Sequence, residues 1–324
     1  MKSFTFSVLV YNHKDYILEH LESIKYLIDR YRPPLVDLLI SDDKSMDGSR
    51  ELIDHWLLSN SHLFRNILKI YNEVNLGTVA CTKNIAKKCQ TDVLKITAGD
   101  DVYSFENIFY YSDVFGDSSI VCGLPYYLKG TNLTSETFSN ILHIASSIIY
   151  KDHDRFEMLH ATNAPNVLYN LGQLRKVIDS PLFDKVKIVE DLLIQVLLSS
   201  EQFSFTQLYV PLVYYRRTLG SAYLIKGSQF DFDQRTIIDF QISQASWAKG
   251  LLLRNKYFCF GIKNKAVKYL VNLPFYIFLL KSLLNFRRIK KYMTLFSKKN
   301  DLNLHKNHYS LINGSARCYE NSIK

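Results

Sequence analysis

Glycine and proline are scarce in this chain of 324 residues, at 12 and 7. That excludes collagen-like and low-complexity architectures. No segment repeats at a solenoid or propeller period. The cysteines (Cys81, Cys89, Cys122, Cys259 and Cys318) are odd in number, and no C-x-x-C or nearby histidine pair offers zinc spacing. Neither a disulfide framework nor structural zinc is expected, and a reducing compartment fits better. MKSFTFSVLVYNHKDY, at the N-terminus, has no small-residue cleavage site after its short apolar run. It reads as a first strand rather than a signal peptide.

Acidic residues are missing altogether between Asp239 and Asp301. Residues 251–299 carry twelve Lys and Arg against a net charge of +9 for the whole chain, so the remainder nets −3. The basicity belongs to one region. Aromatic and aliphatic residues interleave with it in YLVNLPFYIFLLKSLLNFRRIKKYMTLF (269–296). Its longest uncharged run, Tyr269 to Leu280, is twelve residues and contains Pro274. A membrane span needs about 20 apolar residues. One reading lays this basic, apolar, uncapped stretch on an anionic membrane surface. The other makes it a buried helical hairpin with a solvated basic face. Nucleic acid is not an expected partner, because no Gly-rich loop or recognisable module accompanies the charge.

What is present suffices for a large core: 47% hydrophobic residues, with 22 Tyr and 20 Phe. One big domain, or one domain with an extension, is expected. Residues 3–10, 36–41, 66–71 and 92–97 read as strands. Helices are expected at 15–31, 49–58 and 78–89, the first with apolar residues at 17, 21, 24, 28 and 31 on one face. This order predicts a doubly wound, mostly parallel α/β sheet with helices on both faces. Beyond it, 103–115 reads as helix and 119–128 as a strand. Residues 130–165 admit a mobile loop and a helix at 138–150. Residues 189–198 read as helix and 205–215 as an edge strand, because Pro211 cannot donate to a ladder. The boundary to the helical, basic C-terminal region is expected between 216 and 245.

Polar and acidic groups cluster at the carboxyl ends of the four early strands: Tyr11-Asn12-His13, Asp42-Asp43, Asn72 with Asn75-Leu76-Gly77, and Gly99-Asp100-Asp101. Open α/β sheets bind ligands at that edge. A solvated turn tolerates an Asp-Asp pair, whereas a buried pair needs a cation or several donors. Oxygen ligands of this type suit Mn²⁺ or Mg²⁺. G-x-G-x-x-G, the P-loop and G-x-S-x-G are all absent. Without a Gly-rich turn, a diphosphate at this edge needs a divalent metal to neutralise it. Glu190-Asp191 opens a predicted helix. The pair could simply answer the helix dipole, or supply a general base. His13 and His160 read as structural or loop histidines, and Tyr126-Tyr127 as core.

Six segments together resemble the inverting GT-A glycosyltransferases of family 2. They are SVLVYNH (7–13), ISDDKSMDGS (40–49), NLGTVACTKN (75–84), ITAGDDVY (96–103), VEDLLIQ (189–195) and VYYRRTLGS (213–221). The resemblance spans about residues 4–221. It implies a GT-A domain over 1–220 and a helical, basic, membrane-associating region over 221–324. It implies a donor site of Tyr11, Asn12, Asp42, Asp43, Asn75, Lys83, Asp100 and Arg216, with Tyr11 on the base and Asp43 accepting from uracil. Asp42 would support the turn, and Asp101 would coordinate Mn²⁺ or Mg²⁺ at the diphosphate. Asp191 would be the catalytic base, with Glu190 beside it on the acceptor side. The chain departs from the family pattern in three places. Ala98 and Gly99 leave no first acid for a strict D-x-D, Lys83 stands for an Arg, and Thr218 for a His. The expected activity is metal-dependent, inverting transfer of a hexosyl or N-acetylhexosaminyl group. The donor would be a UDP-sugar and the acceptor a saccharide or lipid-linked saccharide, in bacterial surface polysaccharide assembly. The expected location is the cytoplasmic face of the inner membrane, held through residues 251–299. A sugar nucleotidyltransferase, or a non-catalytic nucleotide- or glycan-binding protein on the same fold, is the alternative.

Overall fold

The computed structural model describes residues 2–113, 118–150, 162–201, 204–217 and 227–323. His160, Thr218 and the end of the VYYRRTLGS segment lie outside the described residues. Strands β1 (Phe4–Val10), β2 (Val36–Asp42), β3 (Asn66–Tyr71) and β4 (Val93–Ala98) alternate with helices α1 (Ile17–Tyr31), α2 (Ser49–Asn60) and α3 (Thr78–Lys88). All four strands run parallel in the order β4-β1-β2-β3, with Val8 opposite both Ile40 and Thr97. Every residue of β2 is buried, as the covered middle of a parallel sheet requires. On α1, Ile17, Leu21 and Ile24 are fully buried, worth about 1.5–3 kcal/mol each. The helix ends on Arg32 in the left-handed conformation (φ 46°) just before Pro33-Pro34.

The later elements are shorter than the sequence suggests. Among the described residues of the expected helix 103–115, Ile108–Asp113 is helical (α4), and Val102–Tyr103 is a strand, β5. The expected strand at 119–128 is two, β6 (Ile120–Cys122) and β7 (Tyr126–Lys129), which lie in different sheets. Gly123 sits at the break, where a Cβ would fall 2.9 Å from the Val210 carbonyl oxygen. β8 (Asn132–Thr134) precedes α5 (Thr137–Ile149), which realises the helical reading of that region. β9 (Val167–Asn170), unforeseen, runs antiparallel between β4 and β6. α6 (Leu171–Val177) and α7 (Glu190–Ser200) follow. The expected edge strand 205–215 is also two: β10 (Phe205–Gln207) and β11 (Val213–Arg216). Only β10 is an edge strand. The main sheet runs β10-β6-β9-β4-β1-β2-β3, and a second runs β5-β11-β7-β8, with β11 internal.

The C-terminal region is helical: α8 (Ser228–Gln244), α9 (Trp247–Gly261), α10 (Lys265–Leu270), α11 (Leu273–Leu284), α12 (Phe286–Lys299) and α13 (Leu302–Ile323). The segment 269–296 is not uncapped. Asn264 caps α10, and Asn272, followed by Pro274, caps α11. Among the described residues no helix is long and apolar enough to cross a membrane. α13 packs back on α1. Its His305 ring nitrogen meets the Tyr214 hydroxyl at 2.8 Å, and His308 meets the Tyr103 carbonyl at 3.2 Å. Tyr126 and Tyr127 are buried, as core residues; the Tyr126 hydroxyl donates to the Asn300 carbonyl at 2.9 Å.

Candidate active site

The turn after β2 is built by its own carboxylates. Asp42 is fully buried; its Oδ1 accepts from the Ser45 amide and from Arg50, so it holds the turn. Asp47 accepts from the Lys14 and Ser49 amides and the Ser49 hydroxyl. Burial opposes its charge, but these hydrogen bonds prevail and hold its carboxyl below the ordinary range. Asn12, with φ at 55°, donates its amide to Ser45 and accepts from the Met46 amide, joining β1 to this turn. Tyr11 beside it is 50% exposed, an open ring face at the sheet edge.

Asp43 links the turn to the next loop. Its Oδ1 accepts from the Leu76 amide (2.7 Å) and Asn72 (3.0 Å), and its Oδ2 from the Gly77 amide (2.8 Å). The Cys81 thiol is a fourth neighbour of this carboxylate, and burial and the Asp43 charge hold that thiol in its neutral form. Asn75 reaches back to the Asp43 carbonyl at 3.4 Å. Gly77 has φ at 85°, and a Cβ there would stand 2.6 Å from the Lys187 carbonyl oxygen, so only glycine fits. Thr78, next in line, donates to the Glu190 carboxylate. A connected path therefore runs from Asp43 through the Gly77 loop to the Glu190-Asp191 pair. Lys83 faces elsewhere and pairs with Asp184 at 2.8 Å.

Asp100 and Asp101 follow β4. Asp101 is 1% exposed; its Oδ1 accepts from the Arg216 amide at 2.8 Å, while its Oδ2 is buried with no hydrogen-bond partner. Burial, then the Asp100 charge, push the Asp101 carboxyl well above the usual carboxylate range. A buried acceptor without a donor beside a second carboxylate is a place that a cation would relieve. Mg²⁺ is commonly held by one or two carboxylates plus substrate phosphates, and this pair fits that pattern. No cluster of three His, Cys, Asp or Glu suited to a metal occurs among the described residues.

Beneath this pair lies a buried polar network. The Arg216 Nε donates to the Asp100 carbonyl (2.6 Å), its Nη1 to the Gly130 carbonyl (3.2 Å), and its Nη2 pairs with Glu19. Its guanidinium also lies 4.6 Å above the Tyr16 ring. Glu19 in turn accepts from Tyr309 and Asn313 of α13. Arg216 thus faces inward and braces the Asp100-Asp101 loop, rather than facing a diphosphate. Lys95, fully buried, donates to the Ile96 and Pro165 carbonyls, and burial pulls its ammonium down to about 7. His20 meets the Asp101 carbonyl at 2.8 Å, and burial lowers its imidazole to about 3.

Tyr215, part of the VYYRRTLGS segment but not expected as a site residue, is half-buried within electrostatic reach of both acidic clusters. Burial, then the charges of Asp101, Asp100 and Asp191, push its hydroxyl upward. Three carboxylates from two motifs therefore act on one side chain. At the start of α7, burial and then the Asp191 charge raise the Glu190 carboxyl to about 7; burial also raises Asp191. The helix N-terminus favours their charged forms, and burial outweighs it.

The glycosyl transferase family 2 model matches residues 5–166. That range ends before α7 and β11. Among solved structures, S. aureus TarS 1-349 is 16% identical, with a TM-score of 0.52 over 92% of this chain and 91% of that one. The same TarS fragment in complex with UDP-GlcNAc is 12% identical, with a TM-score of 0.55 over 97% and 92%. The mannosyltransferase PcManGT from Pyrobaculum calidifontis, in complex with GDP-Man and Mn²⁺, is 11% identical, with a TM-score of 0.57 over 99% and 87%. At such identities the likeness shows the shared GT-A fold. No curated protein sequence matches. With half of its length matched by the family model, on the sheet and loops described above, the chain belongs to glycosyl transferase family 2.

Proposed function

We propose that the protein transfers a sugar from a nucleotide-linked donor, UDP-linked by the pattern of its first acidic turn, to a saccharide acceptor with inversion. The acceptor is a saccharide or lipid-linked saccharide of bacterial surface polysaccharide assembly. Residues 1–220 form the catalytic domain. The basic helices within 251–299 bring it to the cytoplasmic face of the inner membrane. The observation that carries this reading is the hydrogen-bonded path by which Asp43 and the Gly77 loop reach Glu190 through Thr78, with the charges of Asp100, Asp101 and Asp191 all bearing on Tyr215.

Each residue has a role in this reading. Tyr11 offers its exposed ring to the base, and Asp43 its carboxylate oxygens. Asn12, Asp42 and Asn75 hold the turn. Asp101, with Asp100 beside it, holds Mn²⁺ or Mg²⁺, which when bound neutralises the diphosphate as leaving group. Asp191 takes the proton from the acceptor hydroxyl as that oxygen attacks the anomeric carbon. Glu190 sits beside it, with Thr78 fixing its carboxylate. Arg216 positions the Asp100-Asp101 loop.

A thermal-shift panel of UDP, GDP, dTDP, CDP and ADP, each with and without Mn²⁺, tests the donor side. A single nucleotide should stabilise the protein, and only with metal, by about 2.7 kcal/mol at 100 times its dissociation constant. No shift with any nucleotide would favour a non-catalytic glycan-binding role.

The raised Glu190 carboxyl predicts a pH effect as well. The Glu190-Asp191 pair takes up a proton as pH falls through about 7, so the rate should decline below that point. Glu190→Gln removes the neighbouring charge and should move the acid limb to lower pH. An unmoved limb in the pH–rate profile would uncouple the two carboxylates. For the fold the sign is opposite. Glu190 keeps its proton up to about 7, while its ordinary value is 4.5. Stability should therefore fall as pH rises across that window.

A further inference from the structure

Away from the acidic edge, α5 faces the α11–α12 pair across an apolar groove of about 570 Å³, walled by Phe138, Ile141, Ala145, Leu279, Leu283 and Met293. Its volume lies within the usual range of small-molecule sites. Nothing among the described residues closes its mouth: Phe138 is 71% exposed and Leu283 64%. Phe286, also on its wall, is exposed, as are Leu280 and Leu284 of α11. Soluble surfaces rarely leave so large a contiguous apolar patch without a use for it.

The charge around the groove indicates what fills it. Lys290 is on the groove wall, and Lys281, Arg287 and Lys291 are exposed on the same two helices. No acidic residue occurs between Asp239 and Asp301 to offset them. Glu136, at the start of α5, is already paired with Arg217. A second copy of the chain would bring the same cations against these, so like-charge repulsion opposes self-association here. An apolar channel under a cationic rim is complementary to an amphiphile with a hydrocarbon tail and an anionic head.

Position narrows the choice. The groove begins at Phe138, two residues beyond Glu136. Arg217, the partner of Glu136, adjoins Arg216, which holds the Asp100 carbonyl. A tail in the groove therefore leaves its head near the edge that carries the candidate site. We propose that the groove takes the hydrocarbon chain of a phosphate-bearing lipid that carries the acceptor sugar, with Lys290 meeting the phosphate. This deepens the acceptor side of the proposed function and rests on it.

The test uses tetradecyl phosphate below its micelle concentration, titrated calorimetrically into the full-length protein. Saturable binding is expected, at least tenfold tighter than that of inorganic phosphate or tetradecanol. Ser282→Trp, which fills the groove, should weaken it at least tenfold. Leu283→Glu should do the same from an exposed position where folding is not at risk. Lys290→Glu should also weaken the phosphate ligand, but not the alcohol. Two results would overturn the proposal. One is equal binding by the wild type and both groove variants. The other is no binding of the monomer, with flotation on phosphatidylglycerol vesicles that both variants reduce; the patch would then be a bilayer contact. UDP with Mn²⁺ is measured on the same samples. Lost nucleotide binding with intact alkyl phosphate binding counts against the donor site, and the reverse counts against the groove.

Discussion

Asp191→Asn is expected to lower sugar transfer by roughly 10²–10⁴-fold, the range that a positioned general base supplies, while leaving nucleotide binding in place. Asp191 lies in the first turn of α7, and its charge, like those of Asp100 and Asp101, acts on Tyr215. The substitution keeps the side chain's size and removes its capacity to take a proton. Nothing on the donor side changes: Tyr11, the Asp43 turn and the Asp100-Asp101 pair belong to other strands. The two measurements are nucleoside diphosphate release under turnover and the thermal shift with UDP and Mn²⁺. A rate within tenfold of the wild type would remove Asp191 as the base and leave Glu190 as the nearest carboxylate. Loss of nucleotide binding together with rate would assign Asp191 to the donor site instead.

The second large effect concerns stability. Arg216→Leu leaves Glu19 buried without its cation, since the pair is only 4% and 11% exposed at its side chains. Breaking a buried ion pair from one side costs about 3–5 kcal/mol. The same change frees the Asp100 carbonyl and the Gly130 carbonyl of their donors. The urea midpoint should therefore fall sharply, and Mn²⁺-dependent nucleotide binding with it. The double variant Glu19→Leu with Arg216→Leu should recover much of the stability, because no charge is then stranded, without recovering the hold on Asp100. Arg216→Lys should fall between, keeping the charge and losing the planar fork. A stability loss under about 1 kcal/mol for Arg216→Leu would mean that the pair is no brace.

The first half of the sheet was legible in the sequence because each element there is long and keeps one period. β1, β2, β3 and β4 lie within a residue or two of their expected bounds, as do the helices between them. The later half misled because its strands are two to four residues long. Such runs carry too few alternations to show a face. SIVCGLPYYL looks like one apolar strand, yet Gly123 and Pro125 let the chain leave the main sheet for the second. Pro211 does the same between β10 and β11. β9 was hidden for a related reason: Val167–Asn170 is four residues of a mostly apolar stretch with no alternation of its own. In the site, the acidic pairs stood out as local patterns. Glu19 and Tyr309 did not, because their roles depend on partners far away in sequence, and Tyr215 was visible only as part of VYYRRTLGS. Glu19 and Arg216 are 197 residues apart. Arg216 itself was visible as a cation near the end of the domain, but only the packing shows that it turns inward.

The bonds from α13 to Glu19 bear on how the protein is made. Glu19 is shared by Arg216 and by Tyr309 and Asn313, 290 and 294 residues later. The brace under the Asp100-Asp101 loop is therefore complete only after residues 309 and 313 have been made. Contacts of such long sequence separation form late and slowly. Until then Glu19 and Arg216 have no complete set of partners, and the loop they steady is not fixed. A chain that stops short of α13 has the strands and the acids, but not the clasp that sets them.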